Sequence, residues 1–245
     1  MSPTQAALKD NVVTFARDVQ STGGYAYTQD SQFSCVAANR RLTDATVQAM
    51  DPTVRQVLDV GCGDGTYTQA LQNAFPLAHF TGFDPAEAAI ARAHRTYPGI
   101  RFCVGNVLEA ADLPKGPFDV AILRGVLHHT SNPALAIAHC ARHARRLIII
   151  EPNGYNPILK IIERASAYHR HHEERSFFPR TLRRWCGAAG LQVDGVGYVG
   201  FVPFFCPDPA AQLLHRVQPL LESIPLLRNT FAAVSVIRCS QRDPT

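Results

Sequence analysis

The stretch from Val57 to Thr68, V-L-D-V-G-C-G-D-G-T-Y-T, constrains this chain more than any other. Val57, Leu58 and Val60 make a short apolar run that reads as a buried strand, and the run breaks at once into three glycines at alternate positions, Gly61, Gly63 and Gly65. Without a Cβ, these positions let the backbone turn tightly and come close to a ligand. From Thr66 onward Leu71 and Phe75 share one helical face, so a helix is expected whose N-terminus points back at the turn. Strand, glycine loop and helix together form a nucleotide-type binding unit of the kind found in doubly wound α/β sheets.

The spacing narrows the ligand. Dinucleotide sites use G-x-G-x-x-G and a helix N-terminus to hold a pyrophosphate. Here the loop is G-x-G-x-G, with Asp59 before it and Asp64 inside it. Two carboxylates repel a phosphate and suit a ligand carrying positive charge; S-adenosylmethionine carries both an ammonium and a sulfonium. The stretch resembles motif I of the class I S-adenosylmethionine-dependent methyltransferases, whose usual form is close to V-L-D-V-G-C-G-x-G. The resemblance implies S-adenosylmethionine as methyl donor, with S-adenosylhomocysteine as product, and cofactor contacts at Asp59, Gly61, Cys62, Gly63 and Gly65. It also implies an α/β fold, a doubly wound and mainly parallel seven-stranded sheet of order 3-2-1-4-5-7-6 with strand 7 antiparallel. About the methyl acceptor it says nothing.

Taken in order, the rest of the chain fits that frame. Residues 4 to 20 and 35 to 50 read as two amphipathic helices, separated by G-G-Y-A-Y-T. In small-molecule members of the family such a pair covers the cofactor, which makes 1–50 a helical cap and Tyr25 and Tyr27 candidate pocket residues, with packing between helices the competing role. The second strand, H-F-T-G-F-D-P, ends in Asp84, 19 positions after Gly65, close to the spacing at which a carboxylate accepts from both ribose hydroxyls. Helix capping is its other role, and the two are compatible. Pro85 opens the next helix, 86 to 95, and joins the cofactor set.

A third strand, 100 to 105, leads to Asn106 and Val107. The family usually has Asp at the first of these, accepting from the adenine amino group; Asn106 retains an acceptor oxygen without the charge. A fourth strand, 118 to 123, runs into R-G-V-L-H-H-T-S-N-P. In the family the methyl-bearing sulfur sits at this tip, so Arg124 is placed with the cofactor and His128 and His129 are the candidate catalytic residues, His128 also lining the acceptor pocket. The N-P at 132–133 starts a helix, and R-L-I-I-I at 146–150 makes a fifth strand followed by Glu151, Pro152 and Asn153, the last a candidate pocket residue. A helix over 179–190, a sixth strand over 191–199 and a seventh over 231–238 complete the series.

Two segments stand outside this core, 152–178 and 200–229, each expected to form a substrate lid or an interface. The first carries His169, His171, His172, Glu173 and Glu174, but Arg170 and Arg175 intrude, and a charged rim rather than a metal site is expected. The second is apolar and interrupted by prolines, and reads as a lid over an apolar acceptor, a homodimer contact or a membrane-surface patch.

Bulk properties bound the remainder. A chain of 245 residues with 46% hydrophobic and 18% charged residues is expected to be one globular domain over 1–245. A net charge of +4 without a lysine-rich run argues against a nucleic-acid partner. Seven scattered cysteines without a C-x-x-C pair, no signal-peptide pattern and no bilayer-length apolar run point to the cytoplasm. Methyl transfer from a sulfonium is an in-line displacement, so the protein chiefly positions two reactants; a hydroxyl acceptor also needs a base, for which a histidine is suited. The leading expectation is a small-molecule O-, N- or C-methyltransferase. The competing ones are an RNA or protein methyltransferase, a non-catalytic S-adenosylmethionine-binding protein and, weakest, a nicotinamide dehydrogenase.

Overall fold

The computed structural model describes residues 32–165, 175–204 and 206–242. Seven strands form one sheet: β1 (Gln56–Val60), β2 (His79–Asp84), β3 (Arg101–Val104), β4 (Phe118–Arg124), β5 (Ala144–Pro152), β6 (Leu191–Val199) and β7 (Val234–Gln241). Their order is β3-β2-β1-β4-β5-β7-β6, and β7 runs antiparallel to both of its neighbours while the others are parallel. Strand order therefore reverses between β1 and β4, and a crevice opens at their carboxyl ends.

The central strands are apolar on both faces because helices cover both faces. Val57, Ile122 and Ile148 point to one side, where they pack with Leu71 of α2 (Thr66–Ala74), Ile90 of α3 (Glu87–Thr96) and Leu42 of α1 (Phe33–Ala49). Leu58, Leu123 and Ile149 point to the other, against Ile137 of α4 (Pro133–His143) and Leu182 of α6 (Pro179–Ala188). The period-two alternation of strands thus sorts adjacent residues into two cores. Helix α4 starts as its sequence dictates, with Pro133 in the first turn and the Asn132 side chain accepting from Leu135 N–H at 3.1 Å.

The expected seventh strand begins three residues late. Residues 225–231 form α8 (Pro225–Phe231), opened by a proline, so β7 starts at Val234 rather than at position 231. Before α8 lies α7 (Asp208–Ser223), which carries Pro219 in its interior, and after β5 lies α5 (Pro157–Ala165). Both extra segments therefore contain helix. Helix α7 docks on α1: the Arg41 guanidinium forks onto Glu222 at 2.7 to 3.2 Å, and Glu222 also accepts from Gly200 N–H at 2.9 Å. Ala37, Val202 and Ala211 fill the contact. Among the described residues, no helix is long and apolar enough to cross a membrane.

Candidate active site

The turn after β1 is built on three left-handed glycines, Gly61 at φ +72°, Gly63 at +55° and Gly65 at +81°. Gly61 N–H donates to Phe83 O at 2.7 Å and Cys62 N–H to the same oxygen at 3.2 Å, which ties the loop to β2. A Cβ at Gly61 would overlap the Val126 side chain, so glycine is required there by space as well as by dihedral. Val126 belongs to the turn after β4. Its packing against Gly61 brings the glycine loop and the β4 tip together, an adjacency set by the pairing of β1 with β4, Val60 opposite Leu123.

Three carboxylates surround this loop, all nearly out of solvent at 5%, 3% and 8% exposed for Asp59, Asp64 and Asp84. Asp59 accepts from Thr68 Oγ1 at 2.6 Å, and Asp64 from Thr66 Oγ1 at 2.8 Å. Asp84 accepts from Gly63 N–H at 3.0 Å through one oxygen and from Ala86 N–H at 2.8 Å through the other. Burial pushes Asp59 and Asp84 each up to about 6; the Thr68 bond and the Arg124 charge oppose this at Asp59, and the two backbone bonds oppose it at Asp84. Buried carboxylates held this way gain most from a cationic neighbour. The glycine-rich turn beside them fits S-adenosylmethionine, whose positive groups are those such carboxylates attract.

The remaining cofactor candidates are placed as follows. Cys62 is buried, and burial drives its thiol far above its ordinary range. Pro85 is exposed and precedes the cap: α3 begins at Glu87 after Ala86, whose N–H is held by Asp84. The Asn106 side-chain oxygen accepts from Leu108 N–H at 3.0 Å, while its own N–H donates to Asp112 at 3.0 Å. Val107 is buried, with its carbonyl bonded by His139 Nδ1 at 2.9 Å. Arg124 reaches across to α1, where it donates to Thr43 Oγ1 at 3.1 Å and to Asn39 O at 3.3 Å. Its guanidinium lies 3.9 Å from the Tyr67 ring centre.

At the β4 tip, Gly125 at φ +67° donates its N–H to Ile150 O at 2.8 Å, and residues Leu127–His129 make one tight 3₁₀ turn. Beneath it Glu151, at the end of β5, is fully buried. One of its oxygens accepts from Val126 N–H at 2.9 Å and Leu127 N–H at 2.7 Å; the other lies 2.7 Å from His128 Nδ1. The His128 and His129 rings stand 3.9 Å apart at a tilt of 45°.

A family model described as a methyltransferase domain matches residues 35–196, well over half of the chain. The chain belongs to this methyltransferase family. It is a class I enzyme with S-adenosylmethionine as methyl donor. Among curated relatives, the ubiquinone biosynthesis O-methyltransferase of Methylococcus capsulatus is 30% identical over 168 residues, covering 61% of this chain and 68% of that protein. Magnesium protoporphyrin IX methyltransferase from Synechocystis, solved with bound S-adenosylhomocysteine, shares the fold at 18% identity and a TM-score of 0.64, over 94% of this chain and 99% of that one. An O-methyltransferase from neocarzinostatin biosynthesis shares it at 17% identity and a TM-score of 0.56, over 96% and 69%.

Asn153, expected in the pocket of the methyltransferase, is fully buried, and its amide donates to Asn229 O at 3.1 Å and Ala232 O at 3.2 Å while its oxygen accepts from Tyr155 N–H at 3.1 Å. Both of its amide donors fasten the chain after β5 to the end of α8. Conversely, Glu151 carries contacts that the motif did not assign. Its signal in the sequence is a lone charge closing the apolar run R-L-I-I-I, since a charge in that position has to be partnered. Tyr25, Tyr27 and the His169–Glu174 cluster lie outside the described residues.

Proposed function

We propose that the methyltransferase transfers a methyl group to a small molecule that enters beside His128 at the β4 tip. The observation that carries this reading is the contact between Val126 and Gly61, which seats the glycine-rich turn of the donor directly against the turn bearing His128. The O-methyltransferase relative supports a small acceptor. When bound, S-adenosylmethionine supplies an electrophilic methyl group on a positively charged sulfur. The chain's own residues have the other tasks. Asp59 and Asp84 provide the negative charge facing the donor, and Asp84 has a lone pair left on each oxygen for the ribose hydroxyls. Asn106 and Val107 are assigned to the adenine edge, and Arg124 holds α1 in place as a cover.

Helix α1 and the segment containing α7 and α8 act as the cap and lid that exclude water. Orientation of two reactants in such a closed site lowers the barrier by on the order of 7 to 11 kcal/mol. Exposed Leu213, Leu220 and Leu226 on the lid support an apolar acceptor or a contact with a second copy. The described cysteines are all free thiols, which supports a cytoplasmic location.

The test uses methyl-labelled S-adenosylmethionine and fractionated cell extract. Label should appear in a small-molecule fraction; label confined to RNA or protein, or no transfer at all, would overturn the reading. In the same assay His128→Ala should cut transfer at least tenfold with donor affinity, read by calorimetry, nearly unchanged. Equal loss of both would remove His128 from the acceptor side.

A further inference from the structure

We infer that the cavity between α1 and α7 is a second small-molecule site of this protein, separate from the donor site, and that it takes a zwitterion of the amino-acid type. Neither the cavity nor its ligand depends on the acceptor-side reading of the β4 tip.

The cavity measures about 340 Å³, within the range of small-molecule sites, about 300 to 1,000 Å³. Ala37, Arg40, Arg41 and Asp44 line it from α1, and His215 and Gln218 from α7. At about 100° per residue, those α1 positions centre roughly 130° around the helix from Asn39 and Thr43, the pair that holds Arg124. Helix α1 therefore has the β4 tip on one side and the cavity on another.

The fold leaves the polar groups of this cavity incomplete. Gln218 is only 5% exposed; its oxygen accepts from Phe201 N–H at 2.9 Å, while its Nε2 has no hydrogen-bond partner among the described residues. An amide donor at this depth calls for an acceptor, which a ligand in the cavity supplies. Arg41 turns Nε and Nη2 to Glu222, and its Nη1 likewise has no partner among the described residues. Both groups only donate, so the part of the ligand that meets them must accept. A carboxylate answers both.

Charge decides the rest. The Arg41 guanidinium is already neutralised by Glu222 at 2.7 Å. Arg40 and Asp44 are exposed, one helical turn apart on the same face, and among the described residues neither makes an ion pair. The cavity thus presents one unanswered cation and one unanswered anion. A dianion such as a phosphate monoester is repelled by Asp44 and Glu222, and a bare amine finds no acceptor at Gln218 Nε2 or Arg41 Nη1. A ligand with a carboxylate for Arg40, Arg41 and Gln218 and an ammonium for Asp44 satisfies all four. The His215 ring, edge-on to Phe33 with 5.6 Å between centres, gives the rest of such a ligand a flat wall.

The experiment titrates the full chain with S-adenosylhomocysteine present at saturation, which closes the donor site to the probes. Three probes share one skeleton: L-phenylalanine carries both charges, 3-phenylpropionate the carboxylate alone and 2-phenylethylamine the ammonium alone. Calorimetry should give L-phenylalanine a Kd of about 1 mM or tighter and 2-phenylethylamine no measurable binding. 3-Phenylpropionate should bind roughly threefold more weakly than L-phenylalanine, the scale of one exposed ion pair. Arg40→Gln should weaken L-phenylalanine by about fivefold, on the same scale. Asp44→Asn should leave it no tighter than 3-phenylpropionate. Gln218→Glu keeps an oxygen for Phe201 N–H but loses the amide donor, and should abolish binding of both carboxylates. Bound L-phenylalanine should slow amide exchange across α1 and α7, the two helices it joins. No binding of L-phenylalanine, binding that disappears once S-adenosylhomocysteine is added, equal binding of 2-phenylethylamine, full affinity in Arg40→Gln, or unchanged exchange in both helices would each overturn the inference. The comparison of probes on the native chain decides it even where Gln218→Glu does not fold. None of these outcomes bears on the methyl-transfer reading, which the label assay decides.

Discussion

Asp59 and Asp84 sit at the ends of two neighbouring strands and are both nearly buried, so their charge is costly until a cation arrives. With each held at about 6 against an ordinary 3.8, the folded chain binds more protons than the unfolded one between those values. Their stabilising contribution is thus complete below about pH 4 and is lost as the pH rises through 6. A cationic donor reverses the preference by favouring the ionised forms. Its affinity should fall as the pH drops from 7.5 to 5, and binding near pH 6 should release protons, which calorimetry in buffers of different ionisation heat would detect. Asp84→Ala should weaken binding by about 1 to 3 kcal/mol, the scale of a buried polar partner left unpaired. It should also flatten the pH dependence; an unchanged profile would remove Asp84 from the donor site.

Between elements, the decisive contact is the one Arg124 makes from the end of β4 to α1. Its guanidinium is held by Thr43 and Asn39 and lies on the face of Tyr67, so one side chain joins a strand and two helices. A desolvated cation on an aromatic face contributes about 2 kcal/mol. Arg124→Ala should therefore speed amide exchange across Phe33–Ala49 by at least roughly tenfold, since about 1.4 kcal/mol is a factor of ten. Exchange in β1 and β4, buried on both faces, should not change. Uniform acceleration across the sheet would mean that Arg124 supports the core rather than the cover. Position alone put Arg124 with the cofactor; its partners come from a helix more than 80 residues earlier, and nothing local in R-G-V-L-H-H announces them.

For the molecule as a whole, the segments after β5 and before β7 are joined through two buried asparagines. Asn153 and Asn156 donate to backbone carbonyls at the end of α8, while Asn153 accepts from Tyr155 N–H just before α5 and Asn156 from Ile158 N–H in its first turn. Asn153→Ala removes the donor to Asn229 O and leaves Ala232 O with Asn156 alone, and should cost about 1 to 3 kcal/mol of global stability, read from denaturant unfolding. Donor affinity, read in the same preparation, should be retained; a selective loss of activity with full stability would return Asn153 to the pocket.

The sequence by itself determined the sheet and the donor. Apolar strands separated by helical patterns describe a doubly wound sheet, the resemblance to motif I supplies its strand order, and V-L-D-V-G-C-G-D-G contains within a single stretch both the glycines and the acidic residues that suit the donor. These are local requirements, set by backbone dihedrals and neighbouring side chains, and local requirements are written in contiguous residues. The partners of Arg124, the clamp of Glu151 on the β4 turn, the use of Asn153 as a fastener and the late start of β7 were decided only by the tertiary structure. Each depends on which groups meet after parallel strands and their crossovers have brought distant segments together. A buried polar side chain takes whatever partner the fold puts within reach, and the chain order does not name that partner in advance.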